Sequence, residues 1–273
     1  MIDKALKWSK SIKLKNWNFN DIIAPGQVTH LNKLLGTIIP GRSQNLLGYH
    51  FLFANQSNEN LGTDGYDNYQ APVSDTQLFR RRMWVKGEIE FINPLSLGSY
   101  VNCQEVVSNV RLMNNSTFVE IVRHFKSETD PILKEKRTLI YTNDNYNQPS
   151  ASVVDSTYHH SINFNVDDTQ LSKYSFLTYN LHKIHLDKEY SKNEGFPDRI
   201  VQGPLLVTII LNWFHTNHPD LDISTIKYKI TNPVYVNEQQ AIYWKKKGNV
   251  FEVLITNGIN ISLNCKITLK GIN

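Results

Sequence analysis

Apolar and polar positions along the chain follow two periods, and the order in which the periods occur is repeated. After the turn signal Pro25-Gly26, Val28, Leu31, Leu34 and Leu35 recur at helical spacing. Arg42–Phe53 is a second helix candidate. A polar stretch over 55–78, rich in Asn, Gly, Asp and Gln, is too long for a plain connection. Period-two runs follow. Over Trp84–Asn93, Val85, Gly87, Ile89 and Phe91 alternate with Lys86, Glu88 and Glu90. Tyr100–Met113 and Thr117–Lys126 are joined by the hairpin-like Asn114-Asn115, and Arg137–Thr142 is a fourth run. The turn-rich stretch 143–157 reads as a linker, and Tyr158–Val166 as an extended segment. Pro204–Thr216 is then the strongest helix signal: Pro204 suits a first turn, and the segment is apolar on most sides, as in a buried helix. Strand runs over 225–236, 240–246, 250–256 and 261–269 close the chain. Each half is thus a helix followed by antiparallel strands, which predicts an α+β fold with a long helix wrapped by a curved sheet, twice over.

Composition narrows the setting. The 273 residues are 40% hydrophobic and 20% charged, ordinary for a folded domain. A chain of this length buries about three quarters of its unfolded surface without staples. The net charge of +4 is mildly basic, with none of the lysine blocks of a nucleic-acid arm. Cys103 and Cys265 stand far apart in strand-like runs, with no metal-ligand spacing, and no apolar stretch is long enough to span a membrane. Disorder, a disulfide scaffold and a membrane bundle are excluded. Near the start, Lys4, Lys7, Lys10, Lys13 and Lys15 alternate with apolar residues. Segment 1–20 therefore reads either as a transit peptide or as a basic first strand or tail. The expected units are 21–145 and 158–273, with 146–157 between them.

Polar groups concentrate in 173–205, which holds Asn180, His182, His185, Asp187 and Glu194 and runs into Gly203-Pro204 at the helix start. A histidine exchanges protons near neutral pH, and free N–H groups at a helix start can hold a developing oxyanion. Asn180-Leu-His-Lys-Ile-His185 resembles the G-D-x-N-P-x-H signature of the MaoC-like (R)-specific hydratases and dehydratases. Aligning the last histidine on His185 places Asn180 at that family's aspartate, His182 at its asparagine and Lys183 at its proline. Gln202-Gly203-Pro204-Leu205 falls on its H-G-P-L turn, with Gln202 replacing histidine. The branch holding the fungal mitochondrial hydroxyacyl-thioester dehydratases of type 2 and the mesaconyl-type CoA hydratases is closer. Its S-x-L-T-[FY]-N-x-H-R-I-H-x-D stretch is similar to Ser175–Asp187, the R-R-M-W part of its P-R-R-M-W element to Arg81–Trp84, and its G-x-[IL]-x-F element to Gly87–Phe91.

The resemblance implies a double hot-dog fold whose two units share one extended sheet. It implies dehydration of (R)-3-hydroxyacyl thioesters, with no cofactor and no metal. His185 is expected to move the proton, Asn180 to orient the hydroxyl or water, since an amide takes no proton itself, and the Gly203 N–H to polarise the thioester carbonyl. Arg81, Arg82, Trp84, Gln202, Pro204 and Leu205 are the expected substrate-binding residues, the arginines as a phosphopantetheine grip or, alternatively, a charged strand edge. Asp187 is expected to pair with a loop lysine or to hold the second nitrogen of His185. The apolar helix face and the hot-dog groove are expected to hold the acyl chain, and whether a groove lined by Ile209 and Trp213 leads to both His185 and Gly203 stays open. The implied partner is acyl carrier protein, or a CoA thioester, in the mitochondrial matrix, with no nucleic acid and no membrane insertion. Pairing of two chains as a homodimer stays open. The alternatives are a CoA-ester hydratase and, in another class, a non-catalytic acyl-thioester binding module.

Overall fold

The computed structural model describes residues 2–41, 45–56, 59–73, 77–146, 151–152 and 154–271. Ten antiparallel strands form one sheet: β1 (Asn16–Ile22), β2 (Arg81–Phe91), β3 (Tyr100–Met113), β4 (Ser116–Lys126), β5 (Pro131–Thr142), β6 (His159–Phe164), β7 (Ile223–Ile230), β8 (Gln240–Lys247), β9 (Val250–Thr256) and β10 (Ile261–Leu269). Their order across the sheet is β1-β3-β4-β5-β2-β7-β10-β9-β8-β6. Read inward from each edge, the halves match strand for strand, β1 with β6, β3 with β8, β4 with β9, β5 with β10 and β2 with β7. This is the double hot-dog plan, with β2 and β7 as the seam.

The two long helices, α2 (Pro25–Ile38) and α6 (Gly203–Asn217), fill one core. Val28, Leu31 and Leu35 of α2 are buried in it with Leu205, Ile209 and Ile210 of α6. Both helices have proline in the first turn, where no intrahelical N–H bond is lost. Ten consecutive residues of α6, Leu205–Phe214, are buried, which accounts for its lack of a polar face.

At the seam, Lys86–Glu90 pairs with Thr225–Lys229, and Gly87 stands opposite Tyr228. A Cβ on Gly87 would overlap the Tyr228 ring and come 2.9 Å from the Lys136 carbonyl oxygen. The glycine of the G-x-[IL]-x-F element is therefore required where the two units are stitched together.

Several local expectations change. The basic start is neither strand nor tail over 2–12 but a helix, α1 (Ile2–Ile12), which buries Ala5, Trp8 and Ile12. Trp8 and Ile12 pack with Val107, Val119 and Ile121 in a second cluster. Of the helix expected over 42–53, residues 42–44 lie outside the described residues. The rest keeps only a 3-10 turn, Tyr49–Leu52. Strand β5 begins six positions earlier than expected, because Ile132 and Leu133 are both core residues. The run predicted over 225–236 leaves the sheet after Ile230, and 231–236 turns along the site. Segment 146–157 lies partly outside the described residues. Among the described residues no helix is long and apolar enough to cross a membrane.

Candidate active site

Three short helices occupy the connection between β6 and α6. α3 (Asp168–Leu177) opens on a capping box, in which the Asp167 carboxylate and the Gln170 side chain each accept from the other's backbone N–H. It ends where the Asn180 N–H donates to the Ser175 carbonyl, 2.9 Å. Asn180 Oδ1 then accepts from the His182 N–H, 3.2 Å, and this side-chain turn starts α4 (Lys183–Leu186). Asp187 caps α5 (Lys188–Asn193) by accepting from the Tyr190 N–H, 3.0 Å. Among the described residues it neither pairs with a lysine nor bonds to His185. The second nitrogen of His185 is held instead by a carbonyl: Nδ1 lies 2.6 Å from Ile200 O. Since a carbonyl only accepts, Nδ1 carries the proton and Nε2 keeps its lone pair.

The segment holding Ile200 is itself fixed from both sides. Ile200 N–H donates to Ile184 O, 3.1 Å, and Val201 N–H to Val234 O, 2.8 Å. Two residues later comes Gly203, the first residue of α6, whose N–H has no acceptor within the helix. A Cβ there would lie 2.5 Å from Ile230 Cδ1, so glycine keeps the wall of β7 close to the helix start.

His185, Asn180 and Gly203 line one cavity of about 320 Å3, together with His182, Trp84 and Pro204. Its other walls come from β2 (Met83, Val85) and the turn after β7 (Thr231, Asn232, Val234). The register of β2 against β5 slips between Trp84 and Lys86. This bulge at Val85 lets consecutive residues of one strand face the cavity. Trp84 is steadied by Arg137, whose guanidinium lies 4.4 Å from the ring centroid. Ile209 and Trp213 are not in this wall: both are packed in the core, and Trp213 Nε1 donates to Ser161 Oγ.

Other expected substrate contacts have different places. Gln202 is fully buried, and its Nε2 donates to Leu171 O (3.0 Å) and Ser175 Oγ (2.7 Å), clasping α6 to α3 behind the cavity. Leu205 faces the core, while Leu206 reaches the cavity. Arg81 and Arg82 do border the cavity, but their guanidinium groups are committed. Arg81 pairs with the Glu194 carboxylate and donates to the Glu194 and Asp144 carbonyls. Arg82 holds Asp64 (2.6 Å), the Asp67 carbonyl and Asn68 Oδ1. They are neither a free phosphate grip nor an exposed strand edge. They tie loops from both halves around the site.

Burial sets the electrostatics. His185 is pushed down to about 4 by desolvation, which outweighs the opposing bond to Ile200 O. His182 is held well below the ordinary histidine range by desolvation, then by His185 and Arg82. Both imidazoles are neutral at neutral pH, and that of His185 is a base in a largely apolar chamber. Sequence reasoning missed Asp64 and Tyr66 of the polar loop, and Tyr146, Tyr190 and Phe196. The length of the loop was the only signal toward the first two. The described residues contain no group of three or more His, Cys, Asp or Glu suited to a metal ion.

The sheet and the two core helices define a class, the double hot-dog proteins, here with a histidine beside the start of one core helix. A MaoC-like dehydratase from Phytophthora capsici has a similar fold, with TM-score 0.72 and 12% identity over 97% of this chain and 98% of that one. The family model of hydroxyacyl-thioester dehydratase type 2 matches residues 48–236. The mitochondrial hydroxyacyl-thioester dehydratase type 2 of Saccharomyces cerevisiae is 32% identical over 85% of this chain and 89% of its own length. That of Schizosaccharomyces pombe is 27% identical over 75% and 79%. The chain belongs to the hydroxyacyl-thioester dehydratase type 2 family and is a hydro-lyase.

Proposed function

We propose that the protein dehydrates (R)-3-hydroxyacyl groups on acyl carrier protein to trans-2-enoyl thioesters, in mitochondrial type II fatty acid synthesis in the matrix. The observation that carries this reading is His185: a buried neutral base, its tautomer set by Ile200 O, in one cavity with the free N–H of Gly203. The thioester carbonyl accepts from Gly203 N–H at the positive end of α6, which acidifies C2. His185 Nε2 takes the C2 proton and returns it to the 3-hydroxyl oxygen as the C3–O bond breaks, so water leaves and the histidine is neutral again. Asn180 has its Oδ1 engaged by the His182 N–H, and its amide Nδ2 donates to the departing oxygen. The chamber suits an uncharged acyl chain. Its only cationic lining residues among those described are Arg81 and Arg82, both already paired with carboxylates. A second substrate carboxylate would have no free partner there, which weighs against a dicarboxylyl-CoA substrate. The mitochondrial setting rests on the names of the two yeast relatives.

Purified protein is assayed with 3-hydroxybutyryl groups on acyl carrier protein and on CoA. Turnover on both, with higher kcat/KM on the carrier protein, is expected. Turnover on neither sinks the reading, and a preference for CoA makes the protein a CoA-ester hydratase. His185→Ala lowers kcat by about 10²–10⁴.

A further inference from the structure

Removing a hydroxyl group makes a demand that His185 and Asn180 leave unmet. The oxygen must present a lone pair to the proton carrier while its own O–H points elsewhere, and that O–H needs an acceptor in a desolvated chamber. Among the described acceptors of the cavity wall, one stands directly beside His185. His182 lines the cavity beside His185, ring centroids 5.6 Å apart and edge-on at 88°. Its Nε2 lies 3.5 Å from Asp64 Oδ2, which leaves Nδ1 for a ligand. That separation is long for a hydrogen bond, as catalytic contacts often are before substrate binds.

Asp64 belongs to the other half of the molecule, 118 positions earlier, and is wholly buried. Its carboxylate is fixed by Arg82 Nε (2.6 Å) and by the Tyr66 N–H (3.1 Å). Its loop is docked directly on the histidine segment: Lys183 N–H donates to Asp64 O (2.8 Å) and Lys183 Nζ to Thr63 O (2.9 Å). A buried carboxylate placed against one imidazole nitrogen by this many contacts selects the tautomer of that imidazole.

We propose that His182 is a second catalytic residue, accepting the O–H of the 3-hydroxyl group at Nδ1, and that Asp64 is the positioning residue that keeps the proton on Nε2. The inference rests on the dehydratase reading above and adds the first unit to its active site. His182 exchanges no proton. It turns the hydroxyl so that one lone pair meets Asn180 Nδ2 and the other meets the proton arriving from His185. The neutrality of His182 fits this accepting role.

The test uses the full chain with 3-hydroxybutyryl carrier protein, following enoyl formation. His182→Phe keeps a ring of similar size without the acceptor. It lowers kcat at least about tenfold with KM within about threefold. His182→Asn, whose Oδ1 replaces Nδ1 as acceptor, recovers most of the loss. Asp64→Asn offers an N–H to Nε2, reverses the tautomer and lowers kcat, as the corresponding change does in a serine protease triad. In the His182→Asn background Asp64→Asn has no further effect on kcat. Wild-type kcat in His182→Phe, or an equal loss from Asp64→Asn in both backgrounds, overturns the proposal. Should Asp64→Asn fail to fold, the Phe and Asn variants of His182 still decide it. Wild-type protein without turnover defeats the dehydratase reading as well. Active wild type with an unaffected His182→Phe defeats this inference alone.

Discussion

His185 shows what a single environment does to a side chain. Histidine in water titrates near 6.5, yet burial takes this one down to about 4, and the Ile200 carbonyl fixes which nitrogen is free. The catalytic form is the neutral one, so activity is lost as pH falls through the shifted value. In the free enzyme kcat/KM is therefore expected to stay level from pH 7 to about 5 and to decline only toward pH 4, checked by steady-state rates over the range where the fold is intact. An acid limb centred near 6.5 would mean a solvated histidine and refute the burial argument. The same shift bears on stability. The unfolded chain binds the proton near 6.5 and the folded chain near 4, so stability present above pH 6.5 is lost as pH falls through that window. His185 was legible because Asn180, His182 and His185 lie within six residues of one another. Asp64 and Tyr66 were not, because a polar loop without periodicity shows nothing of the partner it will meet 118 positions later.

The elements reveal why some sequence signals transferred and others did not. The alternation of β2 and the apolar run of α6 were readable, since each is a local pattern imposed by one burial surface. The helix α1 was not, because its lysines hid the i, i+3, i+7 spacing of Ala5, Trp8 and Ile12, and those residues find their surface only across the sheet. Gln202 is the instructive case at the site. Its place in the turn before α6 suggested substrate, whereas its amide joins α6 to α3. Gln202→Ala leaves the Leu171 carbonyl and Ser175 hydroxyl without their buried donor. It is expected to cost about 1–3 kcal/mol, seen as a Tm lowered by several degrees, with KM for the thioester within about twofold of wild type. A raised KM at unchanged Tm would return Gln202 to the substrate.

The molecule as a whole has two repeated units but one sheet, and that difference has a measurable consequence. Length alone suggests two domains at about 150 residues each. Independent domains meet through small, more polar interfaces and move against each other. Here the halves share backbone hydrogen bonds between β2 and β7 and a single apolar core containing α2 and α6. They also share Gln170 on the Thr37 hydroxyl (3.0 Å), Arg81 on Glu194 and the Asp64 loop on Lys183. Exposing either half alone would break all of these, so the units are expected to unfold together. Tryptophans report each side separately: Trp8, Trp17 and Trp84 in the first unit, Trp213 and Trp244 in the second. In each variant retaining only one set, the fluorescence midpoint in urea should coincide with the far-ultraviolet circular dichroism midpoint of the same variant. Gly87→Ala forces a methyl group into Tyr228 and the Lys136 carbonyl at the seam, a strain of about 1–3 kcal/mol. Both sets of probes should move to lower urea together. Two separated midpoints, or a Gly87→Ala shift confined to one set, would show that the halves are joined in sheet order but not in energy. The active site assembled from both halves would then have to be held by the Asp64 and Arg81 contacts alone.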